Sequence, residues 1–230
     1  TTSDTQGEYG LFGQLGMLHN RQIWKAFAGQ LYVALICALF AGTIGTLVGY
    51  AVSKNRRSKA AAYVNAVAFL PYLMPSLSVG VAFLIFGKTL SIGGTFLILM
   101  LTGTVKYIPF ASRASLNSML QISGEIEEAA IIQDIPWVKR MAGIIIPIQK
   151  STIISSFLLP FMTCLRELTL FMLLCDQFKI MTTAMDYFDE MGLYAFSSGM
   201  NLILIVTILV FNALINKLTG ASIDKGVGGK

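Results

Sequence analysis

Long apolar runs separated by short polar connections dominate the pattern along this chain. Five uncharged runs stand out, at residues 26–52, 60–87, 89–105, 151–165 and 191–216. A transmembrane α-helix needs about 20 mostly apolar residues, because the hydrocarbon core of a bilayer is about 30 Å thick. The third run continues past Lys106, and the fourth continues past Arg166 and Glu167 to Cys175. The pattern therefore predicts an all-α, polytopic membrane protein with five transmembrane helices.

The composition agrees with a membrane protein. Charged residues make up 13% of the chain and hydrophobic residues 55%, whereas a soluble domain carries about 25% charged residues. The net charge of +5 does not indicate nucleic acid as a partner, because the basic residues lie in the connections between the apolar runs. The three cysteines, Cys37, Cys164 and Cys175, lie in apolar runs. They predict neither a disulfide framework nor a metal site.

The basic residues predict how the spans are oriented. Cytoplasmic connections of membrane proteins are enriched in Lys and Arg. The first connection reads SKNRRSK, the connection from Arg113 to Lys150 carries four basic residues, and the end of the chain carries three. We therefore predict that these segments, with the tail at 219–230, are cytoplasmic. Residues 1–25, the loop near Lys88 and residues 176–190 are predicted to be extracytoplasmic.

The stretch AFLIFGKT, which ends at Lys88 and Thr89, matches a loosened phosphate-loop pattern. A phosphate loop needs flexible backbone between a strand and a helix, so that its N–H groups point at phosphate. Here the preceding residues are continuously apolar and belong to a predicted span. We interpret the match as coincidental and Lys88 as a residue at the membrane edge.

Prolines and charges inside the apolar runs indicate candidate pathway residues. In FLPYLMPS, Pro71 and Pro75 each remove a backbone N–H and predict a bent helix beside a cavity. The alternative is a kink that serves only packing. Arg166 and Glu167 are the only charges deep in the fourth run, and charge within a bilayer is costly. They indicate either a pathway contact or side chains near the outer interface that bond to other helices.

Small residues in the first run predict a close helix–helix contact. Gly42, Gly45 and Gly49 recur at helical spacing. A helix face without side chains lets another backbone approach closely.

The connection at 121–147 is charged but too apolar for a disordered linker. Ser123 can cap a short helix whose first turn is acidic. A small, apolar surface follows, made of Ala129, Ala130, Ile131 and Ile132. Asp134 and Pro136 predict a second helix start before Trp137. Such a short helix either docks into a groove of another protein or lies on the membrane surface.

This connection resembles the EAA loop of ABC importer permeases, the inner-membrane components of binding-protein-dependent transport systems. The family pattern is Glu-Ala-Ala, three residues, Gly, nine residues and Ile-x-Leu-Pro. The matching positions are Glu128, Ala129, Ala130, Asp134 in place of glycine, Ile144, Ile146 and Pro147. NAVAFLPYLMPSLSVG and YIPFASRASLNSMLQI also resemble the family's core, and CLRELTLFMLL resembles ferric iron-type permeases.

The resemblance covers residues 26–218 and implies a permease domain over that range. The family core has six helices. We expect the first of these to be missing here, either by processing or because the sequence is the second half of a fused permease. The resemblance implies that Glu127, Glu128, Ala129, Ala130, Asp134 and Pro147 couple the permease to an ATPase. Pro71, Pro75, Arg166 and Glu167, identified above from the prolines and charges of the apolar runs, are the candidates for the translocation pathway.

The implied partners are an ABC ATPase dimer, a second permease core (the same chain, a fused half or a paralogue), an extracytoplasmic substrate-binding protein and membrane lipid. The implied location is the bacterial cytoplasmic membrane. The chain itself would be no enzyme and would hold no cofactor or metal, since ATP and magnesium bind the ATPase. Ferric iron is the first expectation for the substrate, with phosphonate, thiamine or polyamine as alternatives. An ion-gradient-driven secondary transporter and a non-transporting membrane scaffold are the alternative functions.

Overall fold

The structure is a computed structural model that describes residues 19–122 and 124–219, and in these residues every regular element is a helix. In chain order the helices are α1 (Arg21–Lys54), α2 (Lys59–Leu73), α3 (Ser76–Thr89), α4 (Phe96–Met119), α5 (Gly124–Ile132), α6 (Trp137–Ile148), α7 (Lys150–Leu165), α8 (Met181–Glu190) and α9 (Tyr194–Thr219). The middle of α6, Met141–Ile145, is π-helical. The predicted all-α class is confirmed for this part of the chain.

Two to four helical segments are long and apolar enough to cross a membrane. α1 and α9 qualify as single helices, each with a most apolar stretch of mean hydropathy 2.2. α2 with α3 and α6 with α7 qualify only as bent pairs, with bends of 102° and 86°. α4 is 24 residues long but is not among them, because Lys106 and Arg113 lower its hydropathy. The prediction of five spans is therefore matched only in part.

The predicted second span is bent, as its prolines predict, and the predicted third span needs correction. The chain leaves helical geometry at Pro75, whose ψ is 140°, and the bend between α2 and α3 is 102°. The third run begins in a turn instead of a helix. Ser91 has a φ of 55° and Gly94 a φ of 71°, so α4 starts only at Phe96.

The predicted fourth span also ends earlier than expected. α7 stops at Leu165, and residues 166–180 contain turns and bends but no helix. Arg166 and Glu167 therefore follow the helix instead of lying deep inside it. The predicted outer loop at 176–190 contains the short helix α8.

The phosphate-loop match lies within a helix. The residues AFLIFGKT form the end of α3, and Lys88 is an exposed residue of its last turn. A helix offers no free backbone N–H groups to cradle phosphate at those positions.

The described residues group into two compact units. Unit 1 comprises the residues up to Cys37 with Met74–Lys106 and Phe161–Phe211, and unit 2 comprises Ala38–Leu73 and Tyr107–Pro160 with the residues from Asn212 onward. The division cuts through the four helices α1, α4, α7 and α9, so each of these contributes residues to both units.

A buried glutamine organises unit 1. Gln30 of α1 is fully buried, and its Nε2 donates to the carbonyl oxygens of Cys164 and Leu165 at 3.0 and 3.3 Å. Its Oε1 accepts from the backbone N–H and the hydroxyl of Thr182 at 3.3 and 3.2 Å. The side chain thus bonds to carbonyl groups at the end of α7 and to a donor at the start of α8. Nearby, α1, α8 and α9 share an apolar cluster that consists of Ile23, Ala26, Met181, Ala184, Phe188, Phe196, Met200 and Leu204.

Glycines bring α1 against its neighbours in unit 2. A Cβ atom at Gly45 would lie 2.4 Å from the Cβ of Ala111, and one at Gly49 would lie 2.6 Å from the backbone nitrogen of Leu116. A Cβ atom at Gly42 would lie 2.4 Å from the ring of Phe157. The predicted close contact along this glycine face is confirmed.

We expect Gly45→Ala to destabilise the protein by about 1–3 kcal/mol, because the added methyl group forces the backbones of α1 and α4 apart. Thermal unfolding of the purified protein in detergent measures the effect. Gly143→Ala is the matched control, since a Cβ atom there meets nothing within 4 Å. Equal melting temperatures for the two variants would contradict the close contact.

Candidate functional site

The connection that resembles the EAA loop folds as two consecutive helices in unit 2. α5 begins at Gly124 with Glu125 and Glu127 in its first turn, where negative charge is favourable beside the helix N-terminus. The predicted cap, Ser123, lies outside the described residues. α6 begins at Trp137 after Pro136, as the sequence predicts.

The turn after α5 retains the geometry expected at a glycine. Asp134 adopts a φ of 54°, which is the left-handed region that favours glycine. Its N–H donates to the carbonyl of Ile131 at 2.9 Å, and the N–H of Ile135 donates to the carbonyl of Ala130 at 3.1 Å. This pair of bonds is a Schellman motif. Aspartate therefore supplies the turn that glycine supplies in the EAA pattern.

One buried carboxylate joins α5 to α1 and α6. Glu127 is 7% exposed. The hydroxyl of Tyr50 donates to its Oε1 at 2.5 Å, and the ammonium group of Lys54 pairs with its Oε2. The Nε of Arg140 lies 3.8 Å from Oε1. We call these four residues the Glu127 cluster.

The cluster keeps Glu127 ionised. Burial by itself raises the pKa of this carboxyl, but hydrogen bonds from Lys54 and Tyr50 and the positive charges of Lys54 and Arg140 lower it. The net effect is a pKa below the ordinary value of 4.5. The carboxylate form therefore contributes stability above the ordinary pKa of glutamate, and that stability is lost as the pH falls through the lowered pKa.

The opposite face of α5 is exposed. We call Glu128, Ala129, Ile131 and Ile132 the loop surface. Ile131 is 50% exposed and Ile132 is 82% exposed, and Glu128 lies one turn before them on the same side of the helix. A large isoleucine so exposed outside the apolar runs offers area that a partner or a membrane surface can cover.

Two of the predicted coupling residues face inward. Ala130 is 4% exposed, so the predicted apolar surface is corrected at this position. Glu127 is buried with it, because the two residues are one turn apart on the face that packs inward. Asp134 and Pro147 are exposed. The coupling role predicted for these residues stays a prediction.

The loop also borders a polar cleft. A cavity of about 520 Å³ lies beside α5 and is lined by residues that include Tyr50, Lys54, Arg56, Met119, Ile122 and Glu128. A second cavity in unit 2, of about 300 Å³, is lined by Phe69 and Tyr72 of α2 together with Arg113 of α4. The guanidinium of Arg113 lies 4.4 Å from the centroid of the Phe69 ring. The cavity lies beside Phe69 and Tyr72 of the proline-containing segment, and its role in a pathway stays a prediction.

The candidate pathway residues fall into different environments. Pro71 lies inside α2, whereas Pro75 precedes α3. Arg166 is exposed. Glu167 is partly buried and accepts a hydrogen bond from the N–H of Leu170 at 3.0 Å. Their role in translocation stays a prediction.

The sequence analysis did not predict the residues that hold the loop in place, nor the residue that bonds to the helix break at Met74. Tyr50 and Lys54 were not predicted as partners of Glu127, and Lys106 was not predicted as a partner of the Met74 carbonyl, to which it donates at 2.7 Å. The sequence analysis used Lys54 only as one of the basic residues that predict a cytoplasmic connection. The signal that the sequence offered for Lys106 was its position as a charged residue that interrupts an apolar run.

No family model matches this sequence, and no curated protein matches it either. The permease resemblance therefore depends on the motif residues and their spacing. No group of three or more His, Cys, Asp or Glu side chains suited to a metal ion occurs among the residues that the structure describes.

We expect Glu127→Gln to lower the stability of the purified protein at neutral pH by about 1–3 kcal/mol, because Lys54 loses its charged partner. Glu128→Gln, at an exposed position in the same turn, is the matched control. The difference between wild type and Glu127→Gln should shrink as the pH falls through the lowered pKa of Glu127, since protonation removes the same charge. Melting curves across the acidic range measure both effects. A difference that stays constant with pH would contradict the electrostatic account.

A second prediction concerns the turn. Asp134→Gly should preserve or strengthen the protection of α5, since glycine adopts positive φ without strain. Asp134→Val should weaken it by about 1–2 kcal/mol, because a β-branched residue is strained there. Hydrogen exchange of the α5 amides reports the local change. Equal protection in the two variants would show that the left-handed conformation does not limit the turn.

Proposed function

We propose that this chain is the membrane-spanning permease subunit of an ATP-driven importer and that α5 couples it to a separate ATPase. The observation that carries the proposal is the two-sided construction of α5. One face is bound to α1 and α6 through the Glu127 cluster. The other presents the loop surface, which includes Glu128 and Ala129 of the EAA pattern.

The Glu127 cluster supports a coupling role because it links α5 to a long apolar helix. Tyr50 and Lys54 lie in the last turns of α1, and Arg140 lies in α6. A displacement of α5 by a partner therefore reaches α1 through the carboxylate of Glu127. Breaking a largely buried ion pair is costly, so the contact can transmit force in both directions.

The exposed apolar surface supports a location in the membrane. In the most apolar part of α9 only 17% of the residues are buried, although its mean hydropathy is 2.2. Leu209 is 61% exposed and Val210 is 57% exposed. Such an exposed apolar surface suits contact with lipid or with a second permease core. The proposed location is the bacterial cytoplasmic membrane, with the connection at 121–147 and the C-terminus in the cytoplasm.

The proposed mechanism is alternating access. An extracytoplasmic binding protein delivers the substrate to a pair of permease cores. Closure of the ATPase dimer around ATP then moves α5 and, through it, the membrane helices. Ferric iron is the first candidate for the substrate on the resemblance of CLRELTLFMLL alone.

An ion-gradient-driven secondary transporter is the second candidate, and the helix breaks favour it. Such transporters place their ion and substrate sites at interrupted membrane helices. The bent pairs α2 with α3 and α6 with α7 are interruptions of this kind. Uptake that persists after ATP depletion and collapses with the ion gradient would favour this candidate over the importer.

Purification from native membranes tests the importer proposal. An affinity-tagged wild-type chain should retain an ATPase. Ile132→Asp should weaken that association about 10- to 100-fold, because the loop surface loses an apolar side chain that docking would bury. Ile132→Leu, which keeps a similar apolar area, should retain the ATPase.

Gel filtration and membrane insertion of each variant confirm that it is folded. If the wild type retains no ATPase, or if Ile132→Asp keeps both the ATPase stoichiometry and ATP-dependent uptake, α5 is not the coupling helix.

A further inference from the structure

A buried lysine bonds to the break in the second apolar run. Lys106 of α4 is 8% exposed, and its ammonium group donates to the carbonyl oxygen of Met74 at 2.7 Å. Both residues belong to unit 1. A charged group among apolar helices is costly unless other groups compensate it. The position of Lys106 therefore needs a physical reason.

The carbonyl of Met74 belongs to the point where the chain changes direction. Met74 directly follows Leu73, the last residue of α2, and precedes Pro75, whose φ of −55° and ψ of 140° are not helical. The next helical bond runs from the N–H of Val79 to the carbonyl of Pro75 at 3.2 Å. Carbonyl groups at the end of a helix carry partial negative charge and need donors. Such an oxygen attracts a cation.

A carboxylate adds to this attraction. Burial disfavours the charged form of Lys106, and the attraction of the Glu167 carboxylate offsets part of that cost. Glu167 is held in place, since its side chain accepts from the N–H of Leu170 at 3.0 Å and its carbonyl accepts from the hydroxyl of Thr182 at 2.9 Å. α3 approaches the same segment closely, because a Cβ atom at Gly80 would lie 3.1 Å from the carbonyl oxygen of Leu170. All of these residues are in unit 1.

We propose that Lys106 is a tethered cation, whose ammonium group occupies a position at the helix break that otherwise suits a free monovalent cation. Backbone carbonyl oxygens released at interrupted membrane helices coordinate Na⁺ in secondary transporters, and a negative charge in the same region adds to the attraction for a cation. Here the cation is covalently attached to α4. It is therefore present at every external ion concentration, and the break needs no exchangeable ion.

The inference does not depend on the proposed ATPase. It bears on the second candidate function, since a filled cation position at Met74 is not available for a coupling ion. A transporter with this arrangement would need its coupling ion elsewhere in the chain. Failure of the experiment below would leave the importer proposal untouched.

The test removes the tether and supplies a free cation. Lys106→Ala vacates the space of the ammonium group and its carbon chain, whereas Lys106→Met removes the charge but keeps most of the volume. Melting temperatures of the detergent-solubilised proteins are compared in ammonium, potassium, sodium and choline chloride at equal ionic strength. Choline is too large for the vacated space and is the reference. Lys88→Ala removes an exposed lysine of α3 and is the matched control.

We expect Lys106→Ala to melt below wild type in choline and to recover by roughly 3–6 °C in ammonium at about ten times its dissociation constant. Wild type, Lys88→Ala and Lys106→Met should each show no change in melting temperature from one salt to another. The double variant Lys106→Ala with Glu167→Gln should lose the ammonium response, because the carboxylate charge is gone.

Three outcomes would overturn the proposal. The first is an equal loss of stability for Lys106→Ala in all four salts, which would make Lys106 only a hydrogen-bond donor to the break. The second is an ammonium response of the same size in Lys106→Met or in wild type, which would place the binding elsewhere. The third is failure to obtain folded Lys106→Ala even when ammonium is present throughout purification, since a free cation would then not replace the tethered one.

Discussion

Carbonyl groups released where helices stop impose the constraint on which most of this structure depends. In an apolar environment no water satisfies such groups, so each interruption needs a donor from the protein. Gln30 supplies that donor at the end of α7, and Lys106 supplies it at Met74. Both donors come from helices that are distant in sequence from the break they satisfy. The interruptions are therefore stable because of particular tertiary contacts.

α5 meets the same constraint within its own loop. Its carboxyl-terminal carbonyls are satisfied within the loop, by the N–H groups of Asp134 and Ile135. The loop itself therefore supplies donors for carbonyl groups in the last turn of α5. Its inward face is held by the charge of Glu127, and its outward face carries exposed isoleucines. A helix built in this way can release and rebind a partner without unfolding.

The two proposals concern different parts of the molecule. The coupling proposal uses the Glu127 cluster and the loop surface in unit 2, whereas the tethered-cation proposal uses Lys106, Met74 and Glu167 in unit 1. Both invoke a buried charge that ties one helix to another element. Buried charges cost free energy unless they are paired, and this cost makes each pair sensitive to a single substitution.

Local sequence features predicted the parts of the fold that depend on local physics. The helical class and the long apolar helices α1 and α9 follow from the length of the uncharged runs. The start of α6 follows from Pro136, and the close approach of α1 to α4 follows from Gly45 and Gly49, because the absence of a side chain is itself the geometric requirement.

Contacts between distant residues decided the rest. Glu127 and Glu128 are adjacent and chemically alike, and side chains one residue apart on a helix diverge by about 100°. Only the position of Tyr50 and Lys54 determines that Glu127 is buried and Glu128 exposed. Likewise, Pro71 and Pro75 predicted a bend in the second run, but only the tertiary structure shows that Lys106 of α4 bonds to the Met74 carbonyl at the break. The sequence by itself determined which segments are apolar and helical. The tertiary structure decided which distant side chains bond to the breaks and which charges pair, because the free carbonyl groups of an interrupted helix need donors that the local sequence does not supply.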